Sequence, residues 1–344
     1  MKSYERDSSF ETLRIIAMLM VITLHYLLFG GALSSIKQGD RNYWIITLIE
    51  SMCIISVNLF ILITSYFMAF KNKINIKKVI LLVFSTYFYG VLLYVISVLL
   101  GINDFTLIDM IKAIDPFIGN WFLKTYIILY VLSPYINIGI NNLTKEDHKK
   151  LILIMGIFFS IWPSFLPGAP NNDGGYGIIS FIFLYIIGVY IRKYDIKGII
   201  NSRSIIIYAL CAVVTTIFRI FKWDSAWSYN FIFNIIGSIA LFNTFKNLKF
   251  RSSKINYISK FTFSIFIIHI NPLIVELVYK GLLRCTEIYS NKLFILYMFG
   301  SVIIIYLISL LVGFVIDKII YRIVIVLKNI LIKFIYNNKI ILKN

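Results

Sequence analysis

Three ionisable residues in one apolar run have the types and the spacing of a catalytic group. Glu11, Arg14 and His25 interrupt the segment ETLRIIAMLMVITLH. Arg14 and His25 are eleven positions apart, which in an α-helix is three turns plus about 20°, so they share one face. Glu11 comes one turn before Arg14, close to the same face. Because imidazole accepts and returns protons near neutral pH, this pattern predicts a base on a helix that has a cation at its entrance.

The helix that carries these residues is predicted to cross a membrane. Hydrophobic residues fill 59% of the 344 positions and charged residues only 15%, whereas a soluble domain is about half apolar and a quarter charged. His25 would lie about 16 Å deeper than Arg14, near the middle of a hydrocarbon layer about 30 Å thick. Ionisable groups are costly there, so we expect His25 to be functional.

Successive apolar runs predict an all-α, polytopic integral membrane protein with about ten transmembrane helices. We expect one transmembrane domain over residues 1–316 and a basic amphipathic cytoplasmic tail over residues 317–344, with an eleventh span as the alternative for the tail. The predicted spans cover residues 10–30, 43–70, 79–101, 118–140, 151–166, 177–192, 205–221, 229–246, 258–280 and 293–316.

The net charge of +18 is explained by topology and contact with lipid, and we expect no nucleic-acid partner. Lys and Arg are concentrated in every second loop, so the positive-inside rule predicts that both termini are cytoplasmic and that the protein lies in the cell membrane. The loop at residues 163–177 would then be outside. The three cysteines form no CxxC pair and the three histidines have no HxxxH spacing, so no metal site is predicted.

Four segments, distributed over nearly the whole chain, resemble the membrane acyltransferase-3 family. Arg14, ten residues and His25 resemble the signature of the family's first span. VNLFILITSYF (57–67) is similar to the end of its second span, although the usual Ser-Gly-Phe/Tyr element has no Gly here. NWFLKTYIILYVLSP (120–134) resembles a Trp-Phe-Leu…Tyr…Pro segment. FSIFIIHINPLI (263–274) resembles a Ser…Tyr-Leu-Ile-His-Pro segment, with Asn271 inserted before the proline.

The resemblance implies transfer of an acyl group, usually acetyl, from cytoplasmic acyl-CoA to a hydroxyl of an extracytoplasmic or lipid-linked glycan. His25 would act as the base or as a transient acyl acceptor, with Arg14 and Glu11 completing the catalytic set. The family's usual Arg-x-x-Arg element at the third span is replaced by lysines, which can hold phosphates as point charges. The donor acetyl-CoA is therefore expected at Arg14, Lys71, Lys73, Lys77 and Lys78.

Candidates for acceptor binding are spread over several predicted spans and one outer loop. The loop PSFLPGAPNNDGGYG (163–177) offers amide and carboxylate groups, and Tyr176 could lie against a sugar ring; a plain connection between spans is the alternative. Three other candidates each have a second interpretation. His269 could make a structural hydrogen bond, Glu50 could be a solvated carboxylate, and Lys124 could reach outward to the interface. The candidates are Glu50, Trp121, Lys124, Asn171, Asp173 and His269.

Two other classes of polytopic protein fit part of the pattern. A secondary transporter usually has inverted repeats with helices broken at the midplane, and the sequence has no such internal symmetry. A glycan polymerase or flippase is also basic and polytopic, but polymerases tend to have a large external loop and every predicted outer loop here is short. The sequence leaves open the glycan, the acyl chain, the oligomeric state and any separate extracytoplasmic partner.

Overall fold

The computed structural model describes residues 7–114, 120–194 and 203–341, and this part of the chain contains helices and no strands. Outside the described residues lie the segments 1–6, 115–119, 195–202 and 342–344. They hold the first residues of the predicted transmembrane domain, the last residues of the predicted tail and the start of the fourth predicted span. The α-helices are α1 (Ser8–Phe29), α2 (Ala32–Ser35), α3 (Tyr43–Cys53), α4 (Ser56–Met68), α5 (Ile76–Leu99), α6 (Leu107–Ile114), α7 (Trp121–Asn141), α8 (Lys145–Gly156), α9 (Trp162–Phe165), α10 (Ile178–Tyr194), α11 (Ser204–Ile220), α12 (Ile232–Asn247), α13 (Ser253–Ile258), α14 (Thr262–His269), α15 (Pro272–Ile274), α16 (Cys285–Ile288) and α17 (Phe294–Ile341). Short 3₁₀ segments lie at Asp224–Trp227 and Ser259–Phe261, and π-helical turns at Ile157–Ile161 and Val275–Leu282.

Several of these helices can cross a bilayer, so the chain is a multi-pass membrane protein. Within the described residues, six helical stretches are long and apolar enough, and a seventh is added if α13–α14 and the bent segment after them count as one span. Every predicted span coincides with helix, but α10 and α11 have only 17 residues each. The count of about ten spans and the orientation of the termini remain predictions. The six stretches are Ser8–Phe29, Tyr43–Met68, Ile76–Leu99, Trp121–Asn141, Asp224–Asn247 and Phe294–Ile323.

The first helix, α1, lies at the centre of the bundle and packs against α3, α4, α12, α14 and α17. Its start is defined by Asp7, whose carboxylate accepts a hydrogen bond from the backbone N–H of Ser9, and Glu11 in the first turn complements the helix dipole. Its end is defined by Gly31, which has a φ of +72° that most side chains disfavour. A Cβ atom at Gly30 would meet Cys285, so the chain also approaches α16 closely there.

Asn137 on α7 fixes the end of α4 and the turn that follows it. Its side-chain amide donates to the carbonyl oxygens of Met68 and Lys71, both at 2.8 Å. Tyr185 on α10 donates to the Asn137 carbonyl oxygen at 3.0 Å, so all three groups are satisfied inside the protein. This bridge sets where the basic segment after α4 begins.

A sharp bend follows His269, the last residue of α14. The helix before the bend and the segment Pro272–Leu282 meet at 77°. A new helical segment begins at Pro272, which occupies the first helical position. Asn271 starts this segment, because its side chain caps the backbone N–H of Leu273. The bend places His269 at a helix end inside the bundle, where it is fully buried.

The last helix, α17, runs for 48 residues, which is about 72 Å. The predicted boundary at residue 316 falls inside this helix, so residues 317–341 continue it without a break. Asp317, the first residue of the predicted tail, accepts hydrogen bonds from Tyr89 at 2.6 Å and from Ser264 at 2.7 Å. These contacts tie the start of the predicted tail to α5 and α14, while the domain boundary and the orientation of the tail at the membrane stay predictions.

Candidate active site

A cavity of about 1010 Å³ runs along α1. The α1 residues on its wall recur every three or four positions, so they form one face of the helix, and they span about 31 Å of its length. The other walls come from α3, α4, α5, α7 and α14. Arg14 and His25 both face this cavity, as their spacing predicts. The residues on this wall include the N-cap Asp7 and, within α1, Glu11, Arg14, Met18, Val21, His25 and Leu28.

His25 and His269 form a hydrogen-bonded pair at the wall of the cavity. The Nδ1 atom of His25 lies 2.8 Å from the Nε2 atom of His269, and the Nδ1 atom of His269 lies 2.8 Å from the carbonyl oxygen of Ile265. His25 lines the cavity and also stacks on Phe29. His269 has no exposed surface and does not line the cavity, so it contacts His25 rather than the contents of the cavity.

The hydrogen bonds fix which nitrogen of each neutral ring carries the proton. A carbonyl oxygen can only accept, so Nδ1 of His269 must donate to Ile265 and Nε2 of His269 must be the acceptor. Nδ1 of His25 then donates to His269, and Nε2 of His25 keeps a free lone pair. An isolated charge inside a membrane span is costly, which favours the neutral pair. The arrangement leaves His25 able to take a proton at Nε2, or to attack through it.

His25 lies near the opposite end of α1 from Arg14. It is four residues from Phe29, the last residue of the helix. A series of ring contacts connects it to the start of α7: Phe266 lies 6.1 Å from His269 and 5.3 Å from Phe122, measured between ring centroids. His25 therefore lies about 16 Å along α1 from Arg14, and its partner His269 is linked through Phe266 to Phe122 on α7.

The opposite end of the cavity is basic. Arg14 Nη1 lies 2.6 Å from Glu11 Oε1, so the two predicted catalytic residues bind each other and not His25. Arg14 also lies over the ring of Phe67, near the end of α4. The lysines that line this region of the cavity are Lys71, Lys78 and Lys260, whereas Lys73 and Lys77 are exposed and do not line it. A cluster of cations at a cavity mouth can bind an anion such as a phosphate.

Aromatic rings and a carboxylate surround the end of the cavity near α7. The ring centroids of Trp121 and Tyr176 are 4.4 Å apart, those of Trp121 and Tyr229 are 5.4 Å apart, and those of Tyr176 and Tyr229 are 5.0 Å apart. Glu50 and Trp227 line the same cavity. Burial raises the pKa of the Tyr176 hydroxyl above its ordinary value, so Tyr176 is a neutral hydroxyl at physiological pH.

Asn171 and Asp173 shape the loop at this end and do not face the cavity. Asp173 Oδ1 accepts hydrogen bonds from the backbone N–H of Gly175 at 2.8 Å and from the Asn171 amide at 3.3 Å. The backbone N–H of Tyr229 donates to the Gly174 carbonyl oxygen at 2.8 Å, which ties the loop to the segment before α12. Asn171 and Asp173 therefore shape the turn that carries Tyr176. Lys124, another predicted binding residue, does not line the cavity either.

The sequence did not single out several residues of the cavity. Lys260 belongs to a basic segment that the sequence assigns only to topology, and Tyr229 and Trp227 lie at the start of a predicted span with no motif around them. Spacing along one helix predicts contacts on one face, but it gives no signal for residues that meet from distant parts of the chain.

Among the described residues, no group of three or more His, Cys, Asp or Glu side chains could hold a metal ion.

Comparison with known proteins identifies the family. The model of the acyltransferase-3 family, described as an acyltransferase domain, matches residues 7–316. No curated protein and no solved structure gives a significant match. The matched region contains the whole of α1, the histidine pair and both ends of the cavity. The match covers most of the chain, so the chain belongs to the acyltransferase-3 family and is a membrane acyltransferase.

Proposed function

We propose that this protein is an O-acyltransferase of the cell membrane that uses His25 as its base. It moves an acyl group, which we propose to be acetyl, from cytoplasmic acyl-CoA to a hydroxyl of an extracytoplasmic or lipid-linked glycan. Both termini are cytoplasmic in this proposal, so the basic end of the cavity meets the donor. The aromatic end then meets the acceptor from the other side of the membrane.

The observation that carries the proposal is the hydrogen-bond series from Ile265 through His269 to His25. It leaves the Nε2 lone pair of His25 free in the same cavity as Arg14, Lys71 and Lys260. A sugar hydroxyl is a poor nucleophile until a base takes its proton, and a neutral imidazole is suited to that at physiological pH. His269 is the positioning residue, because it orients the ring and supports the charge that develops on it.

The reaction that this geometry supports is a single acyl transfer. The acceptor oxygen attacks the carbonyl carbon of the thioester while Nε2 of His25 takes the hydroxyl proton. The carbon–sulfur bond then breaks, and the CoA thiolate receives the proton from the imidazolium. The products are an acyl ester and free CoA, and His25 returns to its neutral form.

The donor would lie along the α1 face, with its phosphates at the basic end. Arg14, Lys71, Lys78 and Lys260 supply the cations, and Glu11 holds the Arg14 guanidinium at the cavity wall. The acyl arm then has to cover the distance along the helix from Arg14 to His25, about 16 Å. Arg14 and Glu11 act in this proposal on donor binding and not on proton transfer.

The free Nε2 atom is also compatible with an acyl-imidazole intermediate, in which His25 attacks the thioester before the sugar does. The transporter and polymerase alternatives lose their support, because the family is one of acyltransferases. The bend after His269 is of the kind found in transporters, but here it serves to place His269 beside His25.

The direct test follows the acyl group. Purified protein in lipid nanodiscs is given acetyl-CoA labelled in the acetyl group, together with glycan or lipid-linked sugar extracted from the cells that make the protein. We expect label in an alkali-labile ester on the glycan and release of CoA in equal amount. CoA release that does not depend on glycan, with no ester formed, would contradict the proposal. Label found on the protein before glycan is added would identify the acyl-imidazole route.

A further inference from the structure

We propose that the hydroxyls of Thr64 and Tyr126 bind the pantetheine arm of the acyl donor, at its hydroxyl and the carbonyl of the amide next to that hydroxyl. This inference rests on the proposed function, because that function places acyl-CoA in the cavity. It assigns a contact to the middle of the donor, which lies between the cations at one end and the base at the other.

The cavity wall on α1 is apolar between Arg14 and His25. Met18, Val21 and Leu24 face the cavity there, over a length of about 16 Å along the helix. The arm of CoA that joins the phosphates to the thiol carries a hydroxyl and two amides. Such groups are unfavourable in an apolar cavity unless they find hydrogen-bond partners. A donor that reaches His25 therefore needs polar groups on another wall.

Helix α4 runs along the cavity from the aromatic end to the basic end. Near its start, the side-chain amide of Asn58 donates to the Tyr229 carbonyl oxygen at 2.8 Å. Near its other end, the Arg14 guanidinium lies over the ring of Phe67, 5.7 Å from the ring centroid. A cavity-facing side chain between Asn58 and Phe67 therefore lies on the path that the donor has to cross.

Thr64 and Tyr126 place two hydroxyls on this path. Thr64 comes three residues before Phe67 on α4, which is about 4.5 Å along the helix. Tyr126 lies on α7, and its hydroxyl oxygen is 3.2 Å from that of Thr64. Both residues are half-buried and line the cavity. The pair therefore lies nearer to the level of Arg14 than to that of His25.

The pair can offer both a donor and an acceptor to a ligand. Two hydroxyls hold two protons, and the hydrogen bond between Thr64 and Tyr126 uses one of them. Within the described part of the chain, the structure gives neither hydroxyl a second hydrogen-bond partner. The other proton can donate to the amide carbonyl oxygen of the arm, and an oxygen lone pair can accept from the hydroxyl of the arm.

The position of the pair matches the order of groups in the donor. In CoA the hydroxyl and its neighbouring amide are the polar groups of the arm closest to the phosphates. With the phosphates at the basic end, these groups lie a short way along the cavity from Arg14. Thr64 and Tyr126 provide their hydroxyls at that level.

The experiment separates the arm of the donor from its nucleotide. Two ligands are titrated calorimetrically into the full-length protein in nanodiscs: CoA, and adenosine 3′,5′-bisphosphate, which has adenine and ribose phosphates but no pantetheine arm. The double variant is Thr64→Val with Tyr126→Phe, which keeps the size of both side chains. The matched control is Thr216→Val with Tyr135→Phe. Thr216 donates to the Ala212 carbonyl oxygen, Tyr135 is 72% exposed, and neither lines the cavity.

The double variant should raise the Kd for CoA at least about 5-fold, because it removes two neutral hydrogen bonds to the arm. Its Kd for adenosine 3′,5′-bisphosphate should stay near the wild-type value, and the control should change neither Kd. Its melting temperature should also stay near that of the wild type, because removing both partners of a hydrogen bond leaves no unpaired group. If the double variant does not fold, Tyr126→Phe alone should raise the Kd for CoA about 2-fold or more.

An unchanged Kd for CoA in the folded variant would overturn the inference. An equal loss of affinity for both ligands would do so as well, because the pair would then act on the shape of the nucleotide end. If the wild type does not bind CoA, the proposed function itself fails. Label in a glycan ester, together with an unchanged Kd for CoA in the variant, would leave the proposed function standing while this inference failed.

Discussion

The role of His25 depends on a residue far away in the sequence. His269 is 244 positions from His25, yet the two rings lie within hydrogen-bonding distance. The sequence predicts His25 as the base from its depth and from the Arg14 face, but it leaves His269 between a structural and a substrate role. Only the folded chain shows that the Ile265 carbonyl oxygen bonds Nδ1 of His269. The proton of His269 is therefore on Nδ1, and the proton of His25 is on the Nδ1 atom that faces His269.

Replacing His269 should reduce turnover without affecting donor binding. We expect His269→Ala to lower kcat at least about 10-fold, because the His25 ring loses its orientation, while the KM for acyl-CoA stays near the wild-type value. His269→Gln should retain more activity, since its amide oxygen can accept from Nδ1 of His25. Steady-state kinetics per folded molecule would measure both effects. If His269→Ala lowers only the amount of protein in the membrane, His269 has a purely structural role.

The lysines of the basic end can be divided by their position. Lys71 and Lys260 line the cavity, while Lys73 and Lys254 are exposed neighbours that do not. A charge-assisted hydrogen bond contributes about 1.5–3 kcal/mol, so Lys71→Ala and Lys260→Ala should each raise the Kd for CoA by roughly 10-fold or more. Lys73→Ala and Lys254→Ala should raise it much less. Calorimetric titration of CoA would measure the four values, and equal effects in all four would show that only net charge matters.

At the scale of helices, the apolar runs predict where helix occurs, and each predicted span contains helix. The ends are less predictable, because polar contacts between distant helices determine them. Asn137 fixes the end of α4 from α7, and Asp317, the first residue of the predicted tail, ties α17 to α5 and α14. Asn171 and Asp173 were predicted to bind substrate because of their chemistry, yet their side chains build the turn that carries Tyr176.

The glycine turn should matter through its contact with Tyr229. A Cβ atom at Gly175 would lie 2.8 Å from the Tyr229 Cβ atom and 2.6 Å from the Asn230 backbone nitrogen, whereas a Cβ atom at Gly168 would meet nothing within 4 Å. Both glycines have positive φ, of +84° and +66°, so the backbone strain of an alanine is similar at the two sites.

We therefore expect Gly175→Ala to raise the KM for the acceptor several-fold and Gly168→Ala to leave it near the wild-type value. The acceptor KM in the glycan assay, with acyl-CoA saturating, is the measurement. Equal KM values for the two variants would mean that the position of Tyr176 against Tyr229 has no part in acceptor binding.

At the scale of the whole molecule, the cavity connects two chemically different ends along one helix. The basic end is formed by the chain segments just after α4 and just before α14, and the aromatic end lies at the start of α7. The sequence predicts both the cations and some of the rings, since charged loops and a tryptophan at a helix start are visible in it. Their convergence on a single cavity follows from the packing of α1 at the centre, which no spacing along the chain predicts.

Sidedness can be tested with single cysteines after Cys53, Cys211 and Cys285 have been replaced. A cysteine at Asn172 should react with a membrane-impermeant thiol reagent in intact cells, because the positive-inside rule predicts that this loop is outside. A cysteine at Asn72 should react only after the membrane has been opened. Labelling at Asn72 in intact cells would reverse the predicted topology, and the basic end could then not receive a cytoplasmic donor.

The central claim, that His25 is the base of the transfer, is tested most directly by single-turnover acyl transfer in His25→Gln. The control is His148→Gln, since His148 is a buried histidine that bonds the Ile186 carbonyl oxygen at 3.1 Å and does not line the cavity. With acyl-CoA bound and the acceptor saturating, His25→Gln should transfer about 10²–10⁴-fold more slowly than the wild type. Its affinity for CoA should be unchanged, and His148→Gln should keep a rate near that of the wild type. Transfer by His25→Gln at close to the wild-type rate would contradict the account.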